Sequence, residues 1–237
     1  MAFMVVSSVV CWGQETNMFI GHFAVGFASR RLAPQSSLVP LLAAPLFADI
    51  LWPVFLLFGW ERARIYPGAT RFSALDLYDY PLSHGLLPLV VWATLFAMIY
   101  WGLTRYLAGA AVIWLGVLSH WVLDWITHRP DMPLYPGSPK YGLGLWNSIA
   151  GTIVVETAML SIGVWLYLRT TKARDRIGLY GFGAYVILLM AIFIADPFSG
   201  PPASVQALIW TAIVFEPLFL IWAWWFDRHR ELRPEMS

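Results

Sequence analysis

The segment that decides the fold covers residues 107–128 and reads LAGAAVIWLGVLSHWVLDWITH. Its first half is apolar, whereas His120, Asp124 and His128 recur at every fourth position in its second half. A step of four residues rotates an α-helix by only about 40°, so these three side chains share one face. Since about 20 apolar residues cross a bilayer as a helix, the segment predicts a transmembrane helix with an ionisable stripe.

The composition of the whole chain also indicates a membrane protein. Of its 237 residues, 59% are hydrophobic and 12% are charged, with 14 Trp, whereas soluble domains are about 45–50% apolar and about 25% charged. The formal net charge is +1, and no basic tract predicts a nucleic-acid partner. The single cysteine, Cys11, excludes an internal disulfide and a thiolate zinc site.

Apolar segments recur along the chain and predict an all-α, polytopic helical membrane protein. We expect about six transmembrane helices, preceded by a shorter apolar helix at about 18–29. The six long segments cover about 38–58, 84–104, 107–128, 148–168, 178–195 and 205–225.

Three regions are predicted from this pattern. Residues 1–17 are apolar at first but lack the basic start and cleavage site of a signal peptide, and we interpret them as an extension that depends on start-codon choice. Residues 18–148 hold the polar cluster and form a membrane-embedded core. Residues 149–237 add further transmembrane helices and a tail.

The basic residues predict the orientation, because Lys and Arg are enriched in cytoplasmic loops. If the loop before residue 38 is cytoplasmic, ten Lys and Arg fall inside and five outside. This bias predicts a cytoplasmic C-terminus. The inside set is Arg30, Arg31, Arg105, Arg169, Lys172, Arg174, Arg176, Arg228, Arg230 and Arg233, and the outside set is Arg62, Arg64, Arg71, Arg129 and Lys140.

Three further ionisable residues are predicted at a similar depth. Asp49 lies near the middle of its segment, where a carboxylate needs a partner or a cation. His84 opens the next segment and would by itself equally fit an interfacial histidine. His22 lies at the depth of Asp49 if residues 31–37 form a turn. Considered by itself, His22 could instead be a helix-packing residue beside a glycine.

The spacing of His120, Asp124 and His128 predicts how these residues are divided between metal positions. His120 and His128 lie about 12 Å apart along a helix axis, too far for one ion without a kink. Asp124 lies midway and has two oxygens, so we expect it between two metal positions. The alternative is a polar face that lines a water-filled cavity or pairs with other helices.

The cluster favours a divalent metal. Imidazole and carboxylate ligands suit zinc, with manganese or iron as alternatives. Glu156, within another apolar segment, is a candidate additional ligand or a partner for an arginine. The predicted ligands are His22, Asp49, His84, His120, Asp124 and His128.

The remaining polar residues receive structural interpretations. Ser148 is predicted to cap the helix that follows it. Asp76 and Asp79 are predicted to be solvated in an outer loop, and His229 in the tail. Glu216 lies on a segment that contains no other residue of a metal-binding type.

The order of these motifs resembles the LexA-binding, inner-membrane-associated hydrolases (YdjM-like), bacterial proteins described as membrane-bound and metal-dependent. The resemblance covers about residues 18–148, and that family is distantly similar in fold to zinc-dependent phospholipase C and zinc single-strand nucleases. The motifs that carry it are Gly21-His22, Ala48-Asp49-Ile50, Ser83-His84-Gly85 and His120-Trp-Val-Leu-Asp124 with His128 close behind.

The resemblance implies an arrangement of zinc ions. One position would use Asp49, His84, His120 and Asp124. Asp124 would bridge to a second ion, which His22 helps to hold.

A third position would use His128, but the soluble relatives also need a further histidine with an acidic residue four positions later. Residues 146–152 contain no histidine, so two ions are expected rather than three, unless Glu156 substitutes.

The resemblance also implies metal-dependent hydrolysis in the bacterial inner (cytoplasmic) membrane. The substrate would be a phosphoester or lipid-like small molecule, attacked by metal-activated water, with Asp49 as the catalytic general base. Two alternatives remain open: a divalent-cation transporter, and a non-catalytic metal-binding membrane protein. The family name hints at a protein partner, which the sequence does not identify.

Overall fold

The computed structural model describes residues 20–234, and these residues are mostly helical. The interpretation of residues 1–17 as a start-site extension lies outside the described residues. Within that range there are nine α-helices: α1 Ile20–Leu32, α2 Leu38–Ala43, α3 Phe47–Leu57, α4 Pro81–His84, α5 Leu86–Thr104, α6 Leu107–Thr127, α7 Ile149–Thr170, α8 Phe182–Ala195 and α9 Val205–Asp227.

Three short antiparallel ribbons join the helices at their ends, which an all-α prediction did not include. Each is a two-stranded sheet, and together they contain β1 Arg62–Ile65 with β2 Leu75–Asp79, β3 Met132–Pro133 with β4 Lys140–Tyr141, and β5 Thr171–Ala173 with β6 Arg230–Leu232.

Five helices of the described chain are long and apolar enough to cross a membrane, which confirms five of the predicted segments. A turn of π-helix at Ile177–Gly181 and a 3-10 turn at Asp196–Phe198 extend α8 at its two ends. The five helical segments are Leu86–Thr104, Leu107–Thr127, Ile149–Thr170, Ile177–Phe198 and Val205–Asp227.

The predicted count of six transmembrane helices is wrong, because the segment 38–58 is broken. It forms α2, of 6 residues, and α3, of 11 residues, with a turn at residues 44–46. At about 1.5 Å per residue neither helix spans a hydrocarbon core about 30 Å thick. Pro45 in the turn has no backbone N–H and cannot continue the helical hydrogen bonding.

Helix α1 is the central element of the bundle. Eight of its 13 residues are buried, as expected for a helix that is apolar on most of its faces. Phe27 contacts the rings of Tyr167, Phe182 and Tyr185 at centroid distances of 5.3–6.1 Å. This aromatic packing fixes α1 in the interior and carries His22 to the centre of the protein.

The two predicted sets of basic residues lie at opposite ends of the bundle. At one end, Arg30 lies 3.9 Å from Asp227, and β5 and β6 pair beside it. At the other end, Arg64 and Arg129 both bond to Asp76. This segregation agrees with the charge pattern, and the cytoplasmic location of the C-terminus stays a prediction.

The contact between α1 and α7 depends on a glycine. A Cβ atom added to Gly163 would lie 2.3 Å from the carbonyl oxygen of Ala24. Real Cβ atoms do not approach so closely, so a larger residue would push the two helices apart.

We therefore predict that Gly163→Ala lowers stability by about 1–3 kcal/mol, the usual cost of overpacking. Thermal unfolding of the purified protein in detergent measures the effect. Gly102→Ala is the control, since Gly102 is exposed on α5 and a Cβ there meets no atom within 4 Å. Equal melting temperatures for both variants would contradict the proposed close approach.

Candidate metal centre

The Asp124 carboxylate lies at the centre of the cluster, surrounded by four histidines. Its Oδ2 atom is 3.0 Å from His120 Nε2, 3.7 Å from His128 Nε2 and 3.8 Å from His84 Nε2. Its Oδ1 atom is 3.4 Å from His22 Nε2. These side chains come from α1, α4 and the second half of α6 with the residue that follows it, so the fold brings together groups far apart in sequence.

Asp49 adds a second carboxylate to one side of the cluster. Its Oδ1 atom lies 3.5 Å from His84 Nε2 and 3.9 Å from His120 Nε2. Asp49 is in the first turn of α3, directly after the break in the 38–58 segment. Its side chain is 26% exposed, whereas those of Asp124 and the four histidines are at most 4% exposed.

His128 approaches Asp124 because α6 ends there. Its backbone is extended, with φ −69° and ψ 150°, so the side chain turns back towards the helix. His120 and Asp124 share one face of α6, as the four-residue spacing predicted, whereas His128 reaches Asp124 from the residue that follows the helix.

Two overlapping groups of ligand atoms could hold a metal ion. One group is His22, Asp49 and His120, and the other is His84, His120 and Asp124, with the ligand atoms of each group within 4.8 Å of one another. The structure thus brings the six predicted ligands into one cluster of contacts, while their role as ligands stays a prediction.

The hydrogen bonding of the cluster fits a cation. His120 Nε2 and Asp124 Oδ1 are fully buried and make no hydrogen bond to any residue within 20–234. A buried carboxylate oxygen and a buried imidazole nitrogen that lack a hydrogen bond are costly, whereas a bound cation would satisfy both atoms. The donor set, imidazole and carboxylate without thiolate, suits zinc, manganese or iron.

Hydrogen bonds on the outer side hold the histidine rings in orientation. His120 Nδ1 lies 2.8 Å from the Pro45 carbonyl oxygen, which the break in the helix leaves free to accept. His84 Nδ1 lies 2.7 Å from Ser83 Oγ. When Nδ1 carries the proton and donates it to an acceptor, Nε2 keeps its lone pair for a metal, the arrangement usual around metal-binding histidines.

Glu61 anchors the segment that carries His84. It is 1% exposed and accepts hydrogen bonds from Leu82 N at 2.7 Å, Ser83 N at 2.8 Å and Ser83 Oγ at 2.6 Å. Burial raises the pKa of the Glu61 carboxyl above its ordinary value, and the hydrogen bonds from Ser83 oppose part of that rise. The result is a chain of contacts from Glu61 through Ser83 to His84.

A second chain of contacts supports His128. Its Nδ1 atom lies 3.0 Å from Asp131 Oδ1, to which Tyr80 also donates at 3.1 Å. Burial, with the nearby Asp131 carboxylate, raises the pKa of Tyr80 well above its ordinary value, so the phenol keeps the proton that it donates. Arg129 bonds to Asp131 at 3.2 Å and continues the network to Asp76.

The prediction that Asp76 is solvated is wrong. Asp76 is 4% exposed and pairs with Arg64 and Arg129, because the ribbon of β1 and β2 folds over the end of α6. Asp79, three residues further along β2, is exposed as predicted.

Glu156 lies beside the cluster without joining either group of ligand atoms. It is 3% exposed, and its Oε2 atom accepts a hydrogen bond of 2.6 Å from Gly21 N. It therefore satisfies a backbone donor in the first turn of α1, next to His22. The alternative prediction, a pairing with an arginine, is not seen among residues 20–234.

Two structural interpretations concern residues outside the ligand set, and the one for Ser148 is confirmed. Ser148 caps α7, since its side chain accepts a hydrogen bond from Gly151 N. His229 lies in the last part of the chain, 2.6 Å from the exposed Asp175 carboxylate, outside the cluster.

A family model described as the YdjM inner membrane protein matches residues 81–199, which is half of the chain. The chain belongs to the YdjM inner membrane protein family. The match includes α4 and α6, with His84 and the His120–His128 stripe, whereas His22 and Asp49 precede it. No curated protein and no solved structure matches the chain. The family and its inner-membrane description agree with the predicted resemblance, and the match does not extend to hydrolysis or to LexA.

The outer hydrogen-bond partners of the histidines in this YdjM-family chain were not predicted from the sequence. Glu61 follows Trp60 in a loop, and no spacing connects it to Ser83. One signal in the sequence could have indicated the Pro45 carbonyl as an acceptor, because a proline inside an apolar segment breaks a helix and frees a carbonyl. Asp131 also had one, since it lies three residues after His128.

We predict that Glu61→Ala weakens metal binding about 10–100-fold, because the loss of an outer partner releases the ligand it orients. Competition with a chelator of known affinity measures the change. Glu231→Ala is the control, since Glu231 is 49% exposed and pairs with Lys172 in the β5–β6 ribbon. Unchanged metal affinity in Glu61→Ala would show that this chain of contacts does not orient His84.

Proposed function

We propose that this chain is a membrane-embedded, divalent-metal-dependent hydrolase that acts on a phosphoester or lipid-like substrate. The observation that carries the proposal is the Asp124 carboxylate, whose two oxygens face four histidines within an apolar bundle. Ionisable groups at membrane depth are costly and mark functional sites. Membership of an inner membrane protein family supports the location.

Four side chains would hold the first cation, and Asp124 would share it with a second. Asp49, His84, His120 and Asp124 are joined by nitrogen–oxygen distances of 3.0–3.9 Å, and His22 lies at the other oxygen of Asp124. We propose zinc in two positions rather than three. A bound zinc ion lowers the pKa of water towards about 7 and polarises a phosphoryl oxygen.

Asp49 is the residue that we propose as general base. It is the carboxylate of the cluster with a partly exposed side chain, so water and substrate can reach it. Its contacts with His84 and His120 hold it beside the ligand atoms. A carboxylate in this position can accept a proton from an attacking water.

The packing below the cluster argues against the alternative of a cation transporter. A transport path needs polar groups through the whole bundle. Next to the cluster, however, the aromatic residues of α1 pack closely against other aromatic rings. Phe23 contacts Tyr185 and Phe219 at centroid distances of 6.3 and 6.1 Å, and Phe27 continues this packing. Close apolar packing beside the cluster suits catalysis or tight binding better than passage of a cation.

The test combines metal content with hydrolysis. We expect the full-length protein, purified in detergent without chelator, to retain about one to two zinc ions per chain by elemental analysis, as two ions can clamp a phosphoester. His120→Ala and Asp124→Ala should lose this metal, and His229→Ala should keep it. Phosphodiesterase activity should fall by more than about 100-fold in the first two variants, and chelation followed by zinc should abolish and restore it in the wild type.

Two results would contradict the proposal at different levels. Metal that is retained without hydrolysis across a broad set of phosphoesters would favour a non-catalytic metal-binding protein. Metal content that is equally low in wild type and Asp124→Ala would contradict both the hydrolase and the non-catalytic metal-binding protein.

A further inference from the structure

A groove of about 500 Å³ lies between α5 and α6, and we call it the α5–α6 groove. Apart from one threonine its lining is apolar, and exposed side chains such as Met98 and Leu107 place it on the surface that faces lipid in a membrane. Small side chains leave the space between the two helices. The lining residues include Ala97, Met98 and Trp101 of α5 and Leu107, Ala110 and Ala111 of α6.

Arg105 lies in the turn at one end of the α5–α6 groove. Two of the lining residues, Trp101 and Leu107, are four positions before it and two positions after it. The central guanidinium carbon of Arg105 is 5.6 Å from the centre of the Trp101 ring. The side chain is exposed, and it makes no salt bridge and no side-chain hydrogen bond to any residue within 20–234. A cation without a counterion therefore lies next to an apolar groove.

The backbone of Arg105 is in the left-handed region, with φ 58° and ψ 16°. Among residues 20–234 it is the one non-glycine residue with a positive φ. Glycine usually occupies this position after a helix, because it has no Cβ atom. A strained arginine where a glycine would favour the turn indicates that the side chain has a role of its own.

Arg105 lies at the end of the bundle that holds most of the Lys and Arg residues. The Ser36 hydroxyl is 2.8 Å from the Tyr100 hydroxyl near the end of α5. Leu38 N, two residues after Ser36, donates a hydrogen bond to Asp227 at the end of α9. Basic residues close to a membrane surface attract anionic headgroups, so the location of Arg105 suits an anionic lipid.

The charge favours a phospholipid over a second copy of this chain as the occupant. A second copy packed on the same face by a two-fold axis would bring its own Arg105 to the same end, where two cations would repel. An anionic phospholipid supplies both an acyl chain for the groove and a phosphate for the cation. Arginine can stack on an aromatic ring while its N–H groups bind phosphate oxygens.

We propose that the α5–α6 groove binds an acyl chain of an anionic phospholipid whose phosphate is bound by Arg105. This lipid is a resident ligand of the bundle and not the substrate of the proposed hydrolase, because none of the six predicted metal ligands lines the groove. The inference is therefore independent of the proposed function.

The test is native mass spectrometry of the full-length protein, which is delipidated in detergent and titrated with phosphatidylglycerol or phosphatidylcholine of the same acyl chains. We expect the wild type to bind phosphatidylglycerol more tightly, because the choline cation of the other lipid already lies beside its phosphate. Arg105→Gln should weaken phosphatidylglycerol binding about tenfold, the size of one charge-assisted hydrogen bond, and phosphatidylcholine binding by less than about twofold.

Two further variants separate the roles of the charge, the groove and the fold. Arg105→Gly provides the residue that a left-handed turn favours, so it should lose the preference for phosphatidylglycerol while its melting temperature stays at or above that of the wild type. Ala111→Phe keeps the charge but fills the groove from an exposed position. It should weaken the binding of both lipids.

Arg169→Gln is the matched control, since Arg169 stacks on Trp165 at 5.8 Å at the same end of the bundle but does not line the groove. It should bind phosphatidylglycerol as the wild type does. Equal losses in Arg105→Gln and Arg169→Gln, or equal binding of both lipids by the wild type, would overturn the inference. A wild-type dimer that Ala111→Phe dissociates without loss of phosphatidylglycerol would also overturn it, because the groove would then be an interface between copies.

Discussion

The burial of the Asp124 carboxylate among four histidines is the constraint on which the rest of the structure depends. A carboxylate in an apolar bundle is tolerated only with strong compensation, and that compensation comes from three separate helical segments. α1 contributes His22 through its aromatic packing, α4 contributes His84 through Glu61, and α6 contributes its own ionisable stripe. A cation shared by these groups would account for their convergence.

The break at Pro45 replaces one continuous membrane span with two short helices that contribute to this site. A continuous helix over 38–58 would use every backbone carbonyl internally, and His120 Nδ1 would lack its acceptor. The break frees the Pro45 carbonyl and places Asp49 in the first turn of α3. Irregular backbone at membrane depth is tolerated where protein surrounds it, as it does here.

Much of the architecture was predictable from local pattern, because hydropathy and helical periodicity act over short distances in sequence. These signals located five long helices and the proximity of Asp124 to His120 and His128, although the helix ends before His128. Contacts that depend on tertiary packing were not predictable. Glu61 bonds to Ser83 across 22 positions, and α9 packs against α3 although the two helices are far apart in sequence.

X-ray absorption spectroscopy on the purified full-length protein measures which atoms coordinate the bound metal, and thus whether the histidines around Asp124 hold it. We expect a first shell of nitrogen and oxygen only, at about 2.0–2.2 Å for zinc, with the multiple scattering of imidazole. A sulfur shell at about 2.3 Å, or a metal coordinated by water without imidazole, would show that these histidines do not hold the cation.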